Sequence, residues 1–293
     1  MRELCIAGRG SRLAMAQNEL VKKLLEKEGY KVNILTVSTK GDRDRKSSVT
    51  ALGGNGPFVR DVEKALLSEE ADIAVHCVKD LPYEMAPGLC IAGMPDAADP
   101  RDCLILRPNA GRKAAALQET MKAAALQETM KAAAQLQDAA ADNPLTIGTG
   151  SPRRISQLRA LSGKLGIQVE FKDTRGNITT RLDKLRRGEY DGIVLAKAGL
   201  DRIGADLSGL EVRILEPEEM IPAVGQGMLA CECRESDAEM RALLDRITPP
   251  ENYLRYEIER GIFCRFRCDC RSAVGIHARI SRNSADLLLM YEE

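Results

Sequence analysis

Apolar and polar positions follow two rhythms along the first hundred residues. The short apolar runs CIAG, KVNILTVST and ADIAVHCVK predict strands, and between them apolar residues recur three and four apart, the spacing of helices. From Arg12 to about Glu28, Leu13, Leu20, Val21, Leu24 and Leu25 gather on one side while Lys22, Lys23 and Glu26 face away. A second helix is predicted through VRDVEKALL. After residue 144 the alternation returns: strand LTIGTG, helix SPRRISQLRAL, strand IQVEFK, helix ITTRLDKLRRG and strand DGIVLA. Strand and helix in turn predict mostly parallel sheets with helices on both faces, so two α/β units are joined in one chain.

From about residue 246 the pattern changes to a helix through YLRYEIERGIF, a stretch rich in Cys and Arg, and two short strands, VGIHARI and ADLLLMY, around a polar turn. Fewer than ~50 residues rarely bury enough surface to stand alone. Between the two α/β series KAAALQETM occupies 113–121 and repeats at 122–130. Its composition is helical. A nine-residue step turns a helix by about 900°, so equivalent residues of the two copies face opposite sides and no continuous apolar stripe forms. The duplication therefore reads as a solvated helical insert without a catalytic role.

A length of 293 residues with 44% apolar content suits about two domains with proper cores. The charges balance, 43 Lys and Arg against 43 Asp and Glu, so no global field draws the chain to nucleic acid or to an anionic membrane. Any anion binding must be local. There is no apolar run of ~18 residues, and the opening MRELCIAGRGSRLAMAQ lacks the apolar core of a secretory signal, so a cytoplasmic protein is expected; separately, the chain is expected to act as a monomer. Nine cysteines are scattered over the chain, an odd number that reads as reduced thiols rather than a disulfide framework.

The chemistry gathers in short polar turns at the C-terminal ends of strands. In IAGRGSRLAMAQ, Ser11 can cap the first helix and place Arg9 beside its free N–H groups. In TIGTGSPRRISQL, Thr149 and Ser151 precede Pro152, which suits the first helical position and puts Arg153 and Arg154 in the first turn. Cations are unfavourable at that end of the helix dipole, which points to an anion held between them. DTRGNITTRL offers Arg175 and Arg181 around Gly176 with a cap at Asn177 or Thr179, and AKAGLDRIG places Arg202 after the next strand. Open α/β sheets bind ligands outside the carboxyl ends of their strands, so these turns can converge on one cleft for a ligand with several carboxylates or phosphates. Neither a Gly-x-x-x-x-Gly-Lys loop nor a Gly-x-Gly-x-x-Gly turn is present to cradle a nucleotide.

The strand ADIAVHCVKDLP ends in Lys79 and Asp80, and a carboxylate there can stabilise positive charge developing on a substrate. His76, inside that strand, reads as a core histidine with a partner. In CRFRCDCRSAVG, Cys270 has Arg265, Arg267 and Arg271 nearby, a setting that favours thiolate chemistry. Cysteine spacings of one and three residues do not match structural zinc, and no metal is expected.

These turns, in this order, resemble porphobilinogen deaminase, the hydroxymethylbilane synthase family. The collinear blocks are GRGSRLAMAQ, TKGD, GGNGPFVRDVEKALL, ADIAVHCVKDLP, DPRD, GTGSPRR, TRGNITTRLDKLRRGEYDGIVLAKAGLDRIG, IPAVGQGMLACECR and CRSAVG, spread from about residue 5 to 280. The resemblance implies two periplasmic-binding-protein-like α/β domains plus a small, shortened α+β C-terminal domain. Domain 1 would comprise 1–99 and 227–245, domain 2 100–226 with its helical insert at about 110–142, and domain 3 246–293. It implies head-to-tail condensation of four porphobilinogen molecules with release of ammonia, giving linear hydroxymethylbilane. It also implies a dipyrromethane cofactor tethered by a thioether, which falls on Cys270. The catalytic aspartate matches Asp80. Cofactor-binding positions match Lys79, Ser151, Arg153, Arg154, Arg175, Thr149 and Phe58, the last packing on the pyrrole rings. Substrate-binding positions match Arg9, Ser11, Arg175, Arg181 and Arg202. The polar loop at about 42–57 would cover the cleft. Ala51 and Asn55 stand where the family has lysines, Cys77 where it has serine, and Cys268 is a second thiol beside Cys270. A non-catalytic anion-binding protein on the same scaffold is the competing expectation.

Overall fold

The computed structural model describes residues 3–38, 59–82, 84–108, 110, 144–164, 167–266, 272–281 and 284–292. Phe58, Cys268, Cys270, the loop at 42–57 and the duplicated segment lie outside these residues.

The first sheet is built on β1 (Glu3–Arg9), β2 (Lys31–Val37) and β3 (Ile73–Cys77), which run parallel in the order β2-β1-β3. Helix α1 (Arg12–Lys27) joins the first two strands and α2 (Arg60–Leu67) precedes the third. The predicted cap is present: Ser11 Oγ accepts the Ala14 N–H at 3.3 Å. Val21 and Leu25 of α1 pack with Leu4, Ile6 and Ile73 on one face of the sheet, and Val62, Ala65 and Leu66 of α2 cover Ala7 and Ala74 on the other. Four of the five residues of β3 are buried, as expected of a strand covered on both faces.

Beyond β3 the sheet departs from a purely parallel pattern. It continues through β4 (Leu89–Ala97), and between β3 and β4 lies an antiparallel strand, β10 (Met228–Arg234), from far along the chain. The second sheet repeats this arrangement. β6 (Leu145–Gly148), β7 (Val169–Lys172) and β8 (Gly192–Ala196) are parallel in the order β7-β6-β8, and the antiparallel β5 (Asp102–Leu106) separates β8 from β9 (Glu211–Leu215). Helix α3 (Pro152–Lys164) covers one face through Leu158, while α4 (Ile178–Arg186) and α5 (Lys197–Arg202) cover the other through Leu182, Leu185 and Leu200. Asn177 is the cap of α4, its Oδ1 accepting the Thr180 N–H at 2.8 Å.

Each unit thus receives its antiparallel strand from a chain that has just left the other. The chain crosses at 98–101 and returns at 216–227, and the crossings are bonded together. Ala98 N–H donates to the Gly227 carbonyl at 3.1 Å, Gln226 Nε2 to the Pro100 carbonyl at 2.6 Å, and Arg101 Nη1 to Glu216 Oε1 at 2.6 Å. Gly227 has φ +91°, and a Cβ there would lie 2.3 Å from the Ala98 carbonyl oxygen, so only glycine fits.

The remaining elements are α6 (Ala238–Arg246), on the α1 side of the first sheet, then α7 (Pro250–Arg265) and the antiparallel pair β11 (Ala273–Ile280) and β12 (Ala285–Glu292). This last segment leans on its surroundings. Val274 and Ile276 pack with Val224 of the second crossing and with Ile262 and Phe263. The buried Glu259 of α7 accepts from Gly225 N at 2.6 Å, Ala278 N at 2.9 Å and Arg255 Nε at 2.7 Å, while Asn252 Nδ2 donates to the Met94 carbonyl of β4 at 3.0 Å.

Candidate active site

The parallel strands of both sheets aim their C-terminal ends at one region, where the turns singled out in the sequence lie. β3 runs into a short 3-10 turn, Val78–Asp80, that leaves Lys79 half-buried and Asp80 exposed. Burial pulls the Lys79 ammonium below its ordinary value; Asp80 beside it opposes the shift and the like charge of Arg154 adds to it. Arg154 belongs to the second unit, so the two turns face each other closely enough for their charges to interact.

Helix α3 begins at Pro152, and Arg153 and Arg154 lie in its first turn with only 4% and 8% of their surface exposed. The anion that this placement calls for is supplied in part by the protein itself. Asp102, which opens β5 and is fully buried, takes Arg153 Nη2 on Oδ2 at 2.7 Å and Arg154 Nη2 and Nε on Oδ1 at 2.6 and 3.1 Å. Burial alone would raise the Asp102 carboxyl, but the charges of Arg153 and Arg154, with Lys79 behind them, hold it at about 2. Arg153 Nη1 also donates to the Ile221 carbonyl at 2.7 Å and Arg154 Nη1 to the Val194 carbonyl at 2.8 Å. A guanidinium has five N–H donors, so each arginine keeps hydrogens for a further acceptor while its position is fixed from behind.

Two more arginines come from the turn into α4. Arg181 Nε donates to the Gly176 carbonyl at 2.9 Å, and Arg175 Nε to Asp173 Oδ2 at 3.1 Å. Arg181 is held below its ordinary value by burial and by the like charges of Arg154 and Arg175, against Asp173 and Asp80. Arg181 of the second unit and Asp80 of the first are therefore near enough for their charges to interact, as are Arg154 and Lys79. Thr149 is buried, its Oγ1 accepting the Ser151 N–H at 3.2 Å, and Ser151 O accepts from Ile155 N in the opening turn of α3.

Arg9 closes β1 and Ser11 is committed as the α1 cap, both half-buried at the same rim of the first sheet. Arg202 differs from the others. Its side chain is 9% exposed, and Nη2 crosses to Asp96 Oδ2 and to the Gly227 carbonyl, both at 2.5 Å. Cys77 lies beside α1, its Sγ accepting from Gln17 Nε2 at 3.0 Å, and burial pushes its thiol up. His76 has the partner expected of a core histidine: Nε2 is 3.0 Å from Oε2 of the fully buried Glu232.

The pattern of cationic turns along the sequence points to neither Asp102 nor Asp96. Asp102 leads a five-residue strand, DCLIL, buried throughout. A carboxylate at the head of such a strand needs counter-charges close by; the sequence shows an acid before an apolar run, but neither its burial nor its partners.

The sequence matches the family description "Porphobilinogen deaminase, dipyromethane cofactor binding domain" over residues 4–242, a span that ends before Cys270. It is 35% identical over 291 residues to porphobilinogen deaminase of Exiguobacterium sibiricum, covering 99% of this chain and 84% of that protein. To the Syntrophomonas wolfei protein of the same name it is 37% identical over 282 residues, covering 96% and 82%. Among solved structures it is similar to a probable amino-acid ABC transporter extracellular-binding protein from Bacillus subtilis, at 10% identity and a TM-score of 0.45 over 90% of this chain and 95% of that one. The strand orders above describe the fold directly.

Proposed function

The chain belongs to the porphobilinogen deaminase family, and from that premise we propose how its residues divide the work. Its activity is that of hydroxymethylbilane synthase, a transferase of tetrapyrrole and heme biosynthesis. It joins four porphobilinogen molecules head to tail with loss of ammonia and is primed on a covalently held dipyrromethane.

The donor set suits that cofactor. Every pyrrole of this class brings an acetate and a propionate, and the turns at the rims of both sheets supply Lys79, Arg153, Arg154, Arg175 and Arg181 against Asp80, Asp102 and Asp173. In the proposed reading Cys270 carries the thioether. Lys79, Arg153, Arg154 and Arg175, with Thr149 and Ser151 beside them, hold the cofactor carboxylates, and Phe58 packs on the rings. When bound, the dipyrromethane supplies the nucleophilic α-carbon from which the chain grows.

Arg9, Ser11, Arg175, Arg181 and Arg202 take the carboxylates of arriving substrate, fixing the orientation of its aminomethyl carbon. Loss of ammonia leaves a cationic methylenepyrrole, and Asp80 accepts its ring N–H and stabilises the charge. The same carboxylate receives the proton displaced when the new carbon–carbon bond forms. Asp80 is suited to both tasks because it is exposed at the rim yet within the field of the Lys79 and Arg181 charges. The observation that carries this reading is that convergence of Lys79 and Asp80 from one unit with Arg154 and Arg181 from the other.

The proposal includes the division into domains 1–99 with 227–245, 100–226, and 246–293. It also includes a cytoplasmic, monomeric enzyme; no helix among the described residues is long and apolar enough to cross a membrane.

Intact mass spectrometry of the purified chain tests the assignment. A mass excess of two pyrrole rings is expected, located on the Cys270 peptide and absent from Cys270→Ser. An unmodified chain that releases no ammonia from porphobilinogen would leave a binding protein on this scaffold.

A further inference from the structure

Arg202 ends α5, beyond the C-terminal rim of the second sheet, yet the acceptors of its side chain belong to the first. Asp96 stands near the end of β4 and Gly227 just before β10, at the rim where β3 also ends. Two further contacts close the same flank: Arg12 Nη2 donates to the Ile203 carbonyl at 2.7 Å, and Leu13 of α1 lies beside Gly199 of α5. Arg202 is thus part of a seam between the units.

Its hydrogen bonding is one-sided. A guanidinium grips a carboxylate with two parallel bonds either side-on through Nε and Nη2 or end-on through Nη1 and Nη2. Both modes need Nη2, and both of its hydrogens are already donated, to Asp96 Oδ2 and to the Gly227 carbonyl. Nε is buried and has no partner among the described residues. The seam therefore holds Arg202 in a state that leaves one donor unsatisfied, a deficit that a carboxylate arriving side-on would remove.

We propose that Arg202 and Asp96 form a latch between the two units, and that a substrate carboxylate competes with Asp96 for Nη2, so that Arg202 binds substrate only as the latch opens. This rests on the assignment of Arg202 to substrate binding made above. Asp96 is then a positioning residue acting through Arg202. A ligand that needs the unlatched state binds with an apparent constant weakened by the fraction of molecules unlatched, and freeing Arg202 removes that factor.

The test compares Asp96→Asn and Asp96→Glu with the unaltered holoenzyme. Asparagine keeps the shape and loses the charge, so the KM for porphobilinogen should fall about three- to tenfold while kcat stays within about twofold. Glutamate keeps the charge and should restore a KM near that of the unaltered enzyme. Hydrogen exchange of the 197–203 amides without substrate should be faster in Asp96→Asn by a similar factor. Unchanged exchange would mean that no latch exists; faster exchange with an unchanged or higher KM would mean that Asp96 does not compete with substrate. Absence of ammonia release from the unaltered holoenzyme would instead overturn the functional reading, and the exchange comparison would still decide whether the latch exists.

Discussion

Replacing Asp102 by asparagine separates charge from shape at the centre of the site. The carboxylate accepts three hydrogen bonds, two of them at 2.6 and 2.7 Å, from two arginines that are almost wholly buried. Asparagine fills the same space but leaves two buried guanidinium groups without the counter-charge that the protein itself supplies. Removing one partner of a buried ion pair costs about 3–5 kcal/mol, because the remaining charge stays out of water. The proton equilibrium gives a second figure. Holding the carboxyl at about 2 rather than its ordinary 3.8 corresponds to roughly 2–3 kcal/mol at 1.36 kcal/mol per tenfold. Both point to a loss of about 3 kcal/mol, a fall in Tm of about 5 °C for a chain of 293 residues. The sign with pH follows from the depressed carboxyl. Its contribution is complete above the ordinary value and disappears as pH falls through about 2. Urea unfolding of both proteins at pH 7, 5 and 3 should therefore show the full gap at the two higher values and a smaller gap at 3. A gap below about 1 kcal/mol at pH 7, or one equally large at pH 3, would show that shape rather than charge explains the buried aspartate.

Asp80→Ala should retain the mass of the bound cofactor while kcat falls about 10²–10³-fold, the usual loss of a preorganised charge-stabilising group; near-normal turnover would remove Asp80 from its role. Gly93→Ala places a Cβ 2.7 Å from the Leu244 carbonyl oxygen and 2.8 Å from Thr248 Oγ1, forcing β4 away from α6. A destabilisation of about 1–3 kcal/mol is expected, and an unmoved urea midpoint would show that the contact relaxes freely.

Local chemistry was the most legible part of the chain. The stripe of α1, its Ser11 cap, the start of α3 at Pro152 and the Asn177 cap need only neighbouring residues, and the structure has each of them. β5 and β10 were not read as strands, because short apolar runs without alternation look alike in buried strands and helices. Their antiparallel insertion depends on partners far away: Met228 pairs with Ala97. For the same reason the arginine turns were visible as cations at strand ends, but their internal partners were not. Asp102 lies 51 residues from Arg153 and Asp96 lies 106 from Arg202. Spacing of that kind carries no periodic signal.

The exchange of strands between the sheets sets an order of assembly on the ribosome. Every strand of the second sheet lies between Asp102 and Leu215, so that sheet can close once this stretch has emerged. The first cannot. Until Met228–Arg234 is made, β3 and β4 have no partner between them, and among the described residues β4 pairs with no other strand. The earliest part of the polypeptide to be synthesised thus waits with open strand edges, exposed to mispairing, for a late segment to slot into its middle.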